Sequence, residues 1–163
     1  MEKEWLLETN QMTKQYGRHK ALDQVSLHVA QGDIYGLIGR NGAGKTTILR
    51  IISGLAHATT GDYRIFGKAS GQATLERSRV GALIEEPGVC LAMGVRREGY
   101  IEELLETVGL ADTGKKKVRN FSLGMRQRLG IALALVGDPD LLILDEPING
   151  LDPQGFAEVR ETL

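Results

Sequence analysis

Eight consecutive residues in the first third of the chain have the composition and spacing of a loop that holds phosphate groups. The run Gly39-Arg40-Asn41-Gly42-Ala43-Gly44-Lys45-Thr46 fits the pattern G-x-x-x-x-G-K-[ST] at every fixed position. Polyphosphate is bound by inward-pointing backbone N–H groups, and glycines let the chain wrap around it without side chains in the way. The pattern predicts that Lys45 reaches the β- and γ-phosphates and that the Thr46 hydroxyl ligates Mg²⁺. A plain glycine-rich turn between a strand and a helix is the alternative interpretation.

Two adjacent acidic residues follow a short apolar run near the end of the chain. Residues 141–144 are all apolar and predict a strand, with Asp145 and Glu146 at its carboxyl end, where open α/β sheets bind their ligands. We expect Asp145 to hold Mg²⁺ through water and Glu146 to orient or deprotonate an attacking water molecule. The alternative is that these two acidic residues simply end the strand and take no part in a reaction. The presence of the phosphate loop favours hydrolysis.

A third group of residues predicts a capped helix. Ser122 can cap it, because a serine hydroxyl accepts a hydrogen bond from a backbone N–H of the first turn. The free N–H groups at such a helix start bind anions, although an ordinary capped core helix has the same pattern. The apolar residues expected on one face of this helix are Met125, Leu129, Ala132, Leu133 and Val136.

Strands and helices must position these groups. Apolar segments alternate with helical patterns along the chain, and this alternation indicates an α/β fold with a largely parallel sheet. The segment before the phosphate loop, 34–38, is a compact apolar run that predicts a strand buried on both faces. The other expected strands are 6–12, 24–29, 63–66, 80–84 and 141–144, with a turn at 60–62. The expected helices are 46–53 ended by Gly54, 75–79, 101–108 ended by Gly109, and one that begins at Asp152 and Pro153.

Composition limits the classes of protein that this chain can represent. It has 163 residues, about the size of one domain, and its 20 Lys and Arg against 21 Asp and Glu give a net charge of −1. This balance argues against a nucleic-acid partner bound mainly through overall charge. The 42% of apolar residues suffices for a core, and no apolar run or leader pattern predicts a membrane span. The single cysteine, Cys90, fits a reducing compartment.

Together these motifs resemble those of ABC-type ATPases. Residues 39–46 look like their phosphate loop, Phe121-Ser122-Leu123-Gly124-Met125 like their signature motif, and residues 141–146 like their metal-binding strand. The run Asn149-Gly150-Leu151-Asp152 looks like their D-loop. The signature departs from the common Leu-Ser-Gly-Gly-Gln but keeps the serine and the second glycine. The combination is most similar to the bacitracin and lantibiotic resistance group of exporter ATPases.

The resemblance implies a fold and a set of site residues. The fold is a P-loop NTPase core with a RecA-like parallel sheet, an N-terminal antiparallel β part and a shortened helical subdomain at about 86–136, all in one domain over 1–163. ATP and Mg²⁺ are the implied cofactors, with Tyr16 stacking on adenine and the phosphate loop extended to Thr47. Glu85 stands at the family's Q-loop position near Mg²⁺, and Asp152 belongs to the D-loop.

The resemblance also implies partners. The signature segment would contact ATP that is held by a second nucleotide-binding subunit, and a transmembrane permease subunit would hold the pair at the inner face of the cell membrane. The chain itself would be cytoplasmic, and no nucleic acid is expected.

Three departures from the family pattern qualify these expectations. Glu85 replaces the usual glutamine, and the helical subdomain is about one helix short. The chain also stops at Leu163, before the strand that carries the family's switch histidine, and all three histidines precede Asp145. That strand would lie between the phosphate-loop strand and the Asp145 strand, so we expect a gap in the sheet and a fragment or truncated product.

The function that the sequence predicts is an ATP-binding and ATP-hydrolysing subunit that powers an ABC exporter for peptide antibiotics. One alternative is a non-transport ABC ATPase that acts on ribosomes or DNA. The other is a nucleotide-binding module without turnover.

Overall fold

The chain begins with an antiparallel hairpin of two long strands. The computed structural model describes residues 4–73, 76–84, 99–113 and 116–148, and in it β1 is Trp5–Tyr16 and β2 is His19–Ala30. Their residues alternate between buried and exposed over parts of both strands, with Leu7 and Thr9 buried in β1 and Leu27 and Val29 in β2. Both predicted strands are therefore confirmed, and both are longer than expected.

Two further strands complete an antiparallel sheet with the order β2-β1-β3-β4. Strand β3 is Thr60–Ile65 and β4 is Lys68–Ala69. The turn predicted at 60–62 is wrong, because these residues belong to β3. Gly61 has a φ of +78°, and a Cβ there would lie 2.6 Å from the Asn10 carbonyl oxygen, beside an irregularity in the β1–β3 register. Glycine thus lets the two backbones approach each other at a bulge.

The helix after the phosphate loop forms as its sequence pattern predicts. Helix α1 is Lys45–Ile52, and its buried residues Ile48, Ile51 and Ile52 recur at i, i+3 and i+4 on one face. Gly54 ends it with a φ of +77°, and its N–H donates to the Ile51 carbonyl oxygen at 3.0 Å. Glycine adopts this left-handed conformation without a Cβ clash, which closes the helix.

The prediction of a doubly buried strand at 34–38 is wrong. No strand is assigned to this segment, and Ile34 and Ile38 are 96% and 99% exposed. An apolar run becomes a buried strand only where neighbouring strands satisfy its N–H and C=O groups. Within the described residues no strand pairs with it.

By their internal contacts the residues divide into two compact units, Met1–Arg77 and Ser78–Leu163. The second unit contains a parallel pair of strands, β5 at Val80–Leu83 and β6 at Leu141–Leu144, in register from Val80 with Leu141 to Leu83 with Leu144. Both strands occur where the sequence predicts them. Of the helix predicted at 75–79, the described residues Glu76–Arg79 form a single turn of 3₁₀ helix.

Two helices pack with this strand pair. Helix α2 is Tyr100–Thr107 and α3 is Leu123–Ala134, and short 3₁₀ turns lie between them at Ala111–Thr113 and Val118–Asn120. A Cβ on Gly81 of β5 would overlap the Ala134 carbonyl oxygen, so glycine allows α3 to lie directly on the strand. The buried residues of this core are Leu83, Val108, Leu110, Phe121, Ile131, Ala132 and Ala134.

The apolar face predicted for α3 is only partly correct. Met125 and Leu129 pack against the core but are only partly buried, whereas Gln127 and Ile131 are buried. The helix contacts neighbours over a wider arc than one apolar stripe, and that arc includes a glutamine amide. In the described part of the chain, no helix is long and apolar enough to cross a bilayer.

Candidate nucleotide site

The phosphate loop (residues 39–46) has the backbone conformation that its glycines permit. Gly42 and Gly44 have φ values of +82° and +88°, in the left-handed region that favours glycine. The Ala43 N–H donates to the Arg40 carbonyl oxygen at 3.0 Å, which closes a tight turn inside the loop. The loop therefore makes a tight turn immediately before α1.

Lys45 lies across this loop. Its ammonium donates to the carbonyl oxygens of Gly39 at 2.9 Å and Arg40 at 3.2 Å. These are two exposed, neutral acceptors, and an ammonium binds anionic phosphate oxygens more strongly than carbonyls. The ammonium is thus held at the start of the loop by two neutral acceptors.

The start of α1 leaves backbone donors next to the lysine. Gly44 is the N-cap and supplies no side-chain acceptor, and the first helical hydrogen bond runs from Ile48 N to Gly44 O at 3.0 Å. The N–H groups of Lys45, Thr46 and Thr47 precede that bond, and no acidic side chain stands in the first turn. Free donors at the start of a helix, together with the helix dipole, are the groups that bind anions in proteins.

Close packing fixes the position of the loop on the sheet of the first unit. A Cβ on Gly44 would overlap the Ala21 carbonyl oxygen and lie 2.7 Å from Leu22 Cδ2. Both residues belong to β2, close to its turn with β1. Tyr16 is the last residue of β1, pairs with His19 across that turn and is 50% exposed. The first unit thus brings Tyr16 and the phosphate loop to the same end of the sheet.

In the second unit, the acidic pair follows β6 as the sequence predicts. The Asp145 N–H continues the strand pairing by donating to Leu83 O at 2.8 Å, and Asp145 is only 6% exposed. In the described part of the chain, no hydrogen bond or ion pair joins its carboxylate to another residue. A carboxylate at the carboxyl end of a parallel strand stands where open α/β sheets bind their ligands.

Glu146 differs from Asp145 in both exposure and backbone. Its side chain is exposed, and its φ of +47° is uncommon for a residue with a Cβ. The Gln127 side-chain amide donates to the Glu146 carbonyl oxygen at 3.4 Å. Strained backbone of this kind persists where surrounding contacts hold it, and it occurs often at functional sites.

The signature segment (residues 121–125) begins α3 as predicted. Ser122 is the N-cap, and its hydroxyl accepts from the Met125 N–H at 3.2 Å. The first helical bond runs from Arg126 N to Ser122 O, so the N–H groups of Leu123 and Gly124 point out of the helix start. The predicted cap is therefore confirmed.

Sequence reasoning missed Gln127. This side chain is 4% exposed and connects α3 to the backbone of Glu146. Its burial could have been predicted from the sequence, because Gln127, Ile131 and Ala134 stand at i, i+4 and i+7 and therefore share a helix face. A glutamine inside an otherwise apolar stripe needs a hydrogen-bond partner.

Two predicted site residues, Glu85 and Asp152, lie outside the described residues, as do the helix predicted at 152–153 and Cys90.

The residues of both units match those of one protein family. A sequence profile described as "ABC transporter" matches residues 22–149, well over half of the chain, including the phosphate loop, signature segment and acidic pair. The chain belongs to the ABC transporter family of ATP-binding proteins. The resemblance of its motifs to this family is thereby confirmed.

Curated ABC relatives include proteins named for bacitracin and lantibiotic transport. The bacitracin transport ATP-binding protein BcrA of Bacillus licheniformis is 45% identical over 97% of this chain and 56% of its own length. The lantibiotic transport ATP-binding protein SrtF of Streptococcus pyogenes is 42% identical over 97% of this chain and 73% of its own. The chain thus spans little more than half the length of the bacitracin relative that it matches.

The fold agrees with that of solved ABC cassettes. The dimeric structure of MJ0796, a bacterial ABC transporter cassette, superposes with a TM-score of 0.84 at 22% identity, covering 96% of this chain and 80% of that one. The predicted fold class, an α/β P-loop NTPase core with an N-terminal antiparallel β part, is confirmed.

Proposed function

We propose that this ABC protein is the ATP-binding and ATP-hydrolysing subunit of an exporter for peptide antibiotics. The observation that carries the proposal is the phosphate loop, with Lys45 lying over the carbonyls of Gly39 and Arg40 at the uncapped start of α1. The cargo class is supported by relatives whose names specify bacitracin and lantibiotic transport.

ATP binding uses groups of the first unit. The N–H groups of the loop and of the first turn of α1 donate to the phosphate oxygens, and Lys45 exchanges its two carbonyl acceptors for the β- and γ-phosphates. Tyr16 offers an exposed ring on which adenine stacks.

The residues present fit magnesium bound together with ATP. Mg²⁺ takes oxygen ligands and is usually held by one or two protein groups plus substrate phosphates. The Thr46 hydroxyl would bind it directly and the Asp145 carboxylate through water, and Glu85 is a further ligand by resemblance. The position of Asp145 directly after β6, at the carboxyl end of a parallel strand, supports this assignment. When bound, the ion neutralises charge on the transferred phosphoryl group.

Glu146 is the proposed catalytic base. Its exposed carboxylate orients an attacking water molecule and accepts a proton from it. The hydrogen bond from Gln127 to its carbonyl restrains the backbone from which the carboxylate projects. A base of this kind contributes about 10²–10⁴-fold to a rate.

The proposed assembly contains a second nucleotide-binding subunit and a permease. The N–H groups at the start of α3, with Ser122, would contact the γ-phosphate held by the second subunit, and Asp152 would contribute through the D-loop. The cassette MJ0796 is described as dimeric, which supports this arrangement. The permease would keep this chain at the inner face of the cell membrane.

Nucleotide binding is tested with Lys45→Ala in the 163-residue chain. Mg-ATP affinity, measured by calorimetry, should fall at least about tenfold, because a charged hydrogen bond to phosphate is worth about 1.5–3 kcal/mol. Lys68→Ala is the matched control, since Lys68 is an exposed lysine on β4 of the same unit. Equal affinities of the wild type and Lys45→Ala would contradict the phosphate-loop assignment.

Hydrolysis is tested with Glu146→Gln. Phosphate release should fall about 100-fold or more while ATP affinity is kept, because the amide cannot accept the proton. Glu106→Gln, on the exposed side of α2, is the control. Unchanged turnover in Glu146→Gln would remove this residue from its proposed role.

A second candidate function is nucleotide binding without turnover. The exposed, unpaired segment 34–38 favours it, since this segment leads directly into the phosphate loop and no strand pairing in the described residues holds it. ATP binding by the wild type without phosphate release would support this function, and release above the rate of Glu146→Gln would exclude it.

A further inference from the structure

Two side chains near the end of β1, Lys14 and Tyr16, form a pair, and the function above uses only Tyr16. The Lys14 ammonium lies over the Tyr16 ring, 4.8 Å from its centroid. A cation at this distance is attracted by the electrons of the ring face. One face of the exposed Tyr16 ring is therefore already occupied.

A backbone acceptor fixes the lysine. Its ammonium donates to the His57 carbonyl oxygen at 2.7 Å, and the segment that carries this carbonyl is itself bonded to β1. Thr59 N donates to Thr13 O at 2.8 Å, and Gln15 N donates to the Thr59 hydroxyl at 3.0 Å. Lys14 is thus held between a braced backbone segment and the aromatic ring.

The pair lies beside the phosphate loop. Lys14 is register-paired with Leu22, and Leu22 is the residue whose side chain would meet a Cβ on Gly44. Tyr16 stands two residues further along β1, about 7 Å at the usual rise per residue. A nucleotide whose phosphates occupy the loop therefore has its base near the ring.

We propose that Lys14 is a positioning residue for the nucleotide base: it covers one face of Tyr16, orients the ring and leaves the opposite face to stack on adenine. An exposed tyrosine that samples several rotamers must be ordered when a base binds, which costs binding free energy. Lys14 orders the ring beforehand. This inference rests on the proposed ATP binding and adds to it a residue that contacts no phosphate.

The test compares two ligands that share phosphates but not the base. Lys14→Met, which keeps an unbranched side chain but removes the charge, should weaken Mg-ATP binding about two- to fivefold. Binding of Mg-tripolyphosphate, which lacks a base, should stay unchanged. Lys14→Arg keeps a cation over the ring and should restore ATP affinity.

Lys20→Met is the matched control. Lys20 lies on β2 opposite Gln15 and bonds Asp23 at 3.0 Å, so its loss removes the same charge nearby without touching Tyr16. It should not change the ratio of the two affinities. Equal weakening of ATP and tripolyphosphate by Lys14→Met would overturn the proposal, because Lys14 would then act through general electrostatics.

A double-mutant cycle shows whether Lys14 acts through Tyr16. Tyr16→Ala should weaken ATP binding about tenfold, the scale of a base–aromatic stack. In that background, Lys14→Met should have no further effect, and a full additional loss would overturn the proposal.

A measurement without nucleotide separates this inference from the proposed function. In the NMR spectrum, the Lys14 side-chain ε-protons should be shifted upfield by the Tyr16 ring and return to ordinary positions in Tyr16→Leu. Ordinary shifts in the wild type would overturn the positioning role even where ATP binds. If the wild type shows the shifted protons but binds neither Mg-ATP nor Mg-tripolyphosphate, the proposed ATP binding is refuted. The role of Lys14 and Tyr16 in positioning a nucleotide base is then refuted as well.

Discussion

Three glycines in or near the phosphate loop allow the cost of its backbone shape to be separated from the cost of its packing. Gly36 has no positive φ and nothing within 4 Å of an added Cβ. Gly42 has a φ of +82° and equally open space, whereas Gly44 has a φ of +88° and backbone atoms where its Cβ would be. Alanine at Gly36 therefore adds neither backbone strain nor steric overlap. Alanine at Gly42 adds backbone strain alone, and alanine at Gly44 adds both.

The expected magnitudes follow from these surroundings. Gly36→Ala should be neutral or stabilise the fold by up to about 1 kcal/mol, because alanine restricts the unfolded chain. Gly42→Ala adds a left-handed strain of about 1–2 kcal/mol, which that gain partly offsets, so its net cost is about 1 kcal/mol. Gly44→Ala adds overlap with the Ala21 carbonyl, and overpacking costs about 1–3 kcal/mol more.

The assay is urea unfolding followed by the fluorescence of Trp5. This residue is the only tryptophan of the chain and lies on β1, with its ring centroid 5.2 Å from that of His28. Its fluorescence therefore reports on the first unit, which also contains the phosphate loop. The free energies of unfolding should decrease in the order Gly36→Ala, Gly42→Ala, Gly44→Ala, with a constant denaturant slope. Equal stabilities of Gly42→Ala and Gly44→Ala would refute the packing of the loop on β2.

Three further predictions concern the second unit. Ser122→Ala should lower the free energy of unfolding by about 1 kcal/mol, because it removes the hydroxyl that accepts from Met125 N, and Ser122→Gly by only a few tenths of a kcal/mol. Equal losses of stability for the two variants in circular dichroism melts would contradict the capping role. Ile131→Ala should cost about 2–5 kcal/mol and Ile131→Val about 0.5–1.5 kcal/mol in urea titrations, since this side chain is fully buried, and smaller losses would place it outside the core. The hydrogen bond from Arg79 holds the pKa of Asp140 below its ordinary value of 3.8, so this contact stabilises the fold above that pH and is lost as the pH falls through the lowered pKa. The stability advantage of the wild type over Asp140→Asn should therefore be present at neutral pH and vanish in strong acid, and an advantage independent of pH would contradict the contact.

Local patterns predicted the parts of the site that depend on residues close together in sequence. The loop conformation follows from glycines within six positions, the start of α3 from one serine, and the end of α1 from Gly54. The chemistry assigned to Lys45 and Thr46 follows equally from their spacing after those glycines. Each of these features is set by interactions across three or four residues, which a single sequence displays directly.

Features that depend on distant segments could be seen only in the structure. The apolar run 34–38 has the composition of a buried strand, yet only pairing with other strands would make it one. Gln127 is buried because its amide reaches the carbonyl of Glu146, nineteen positions away. Lys14 is placed over Tyr16 by a carbonyl forty-three positions away. Sequence by itself thus predicted the conformation of the glycine-rich loop, the end of α1 and the start of α3, because those depend on neighbouring backbone. The tertiary structure alone decided which segments are buried and which side chains are held beside Glu146 and Tyr16, because these depend on contacts between segments far apart in the chain.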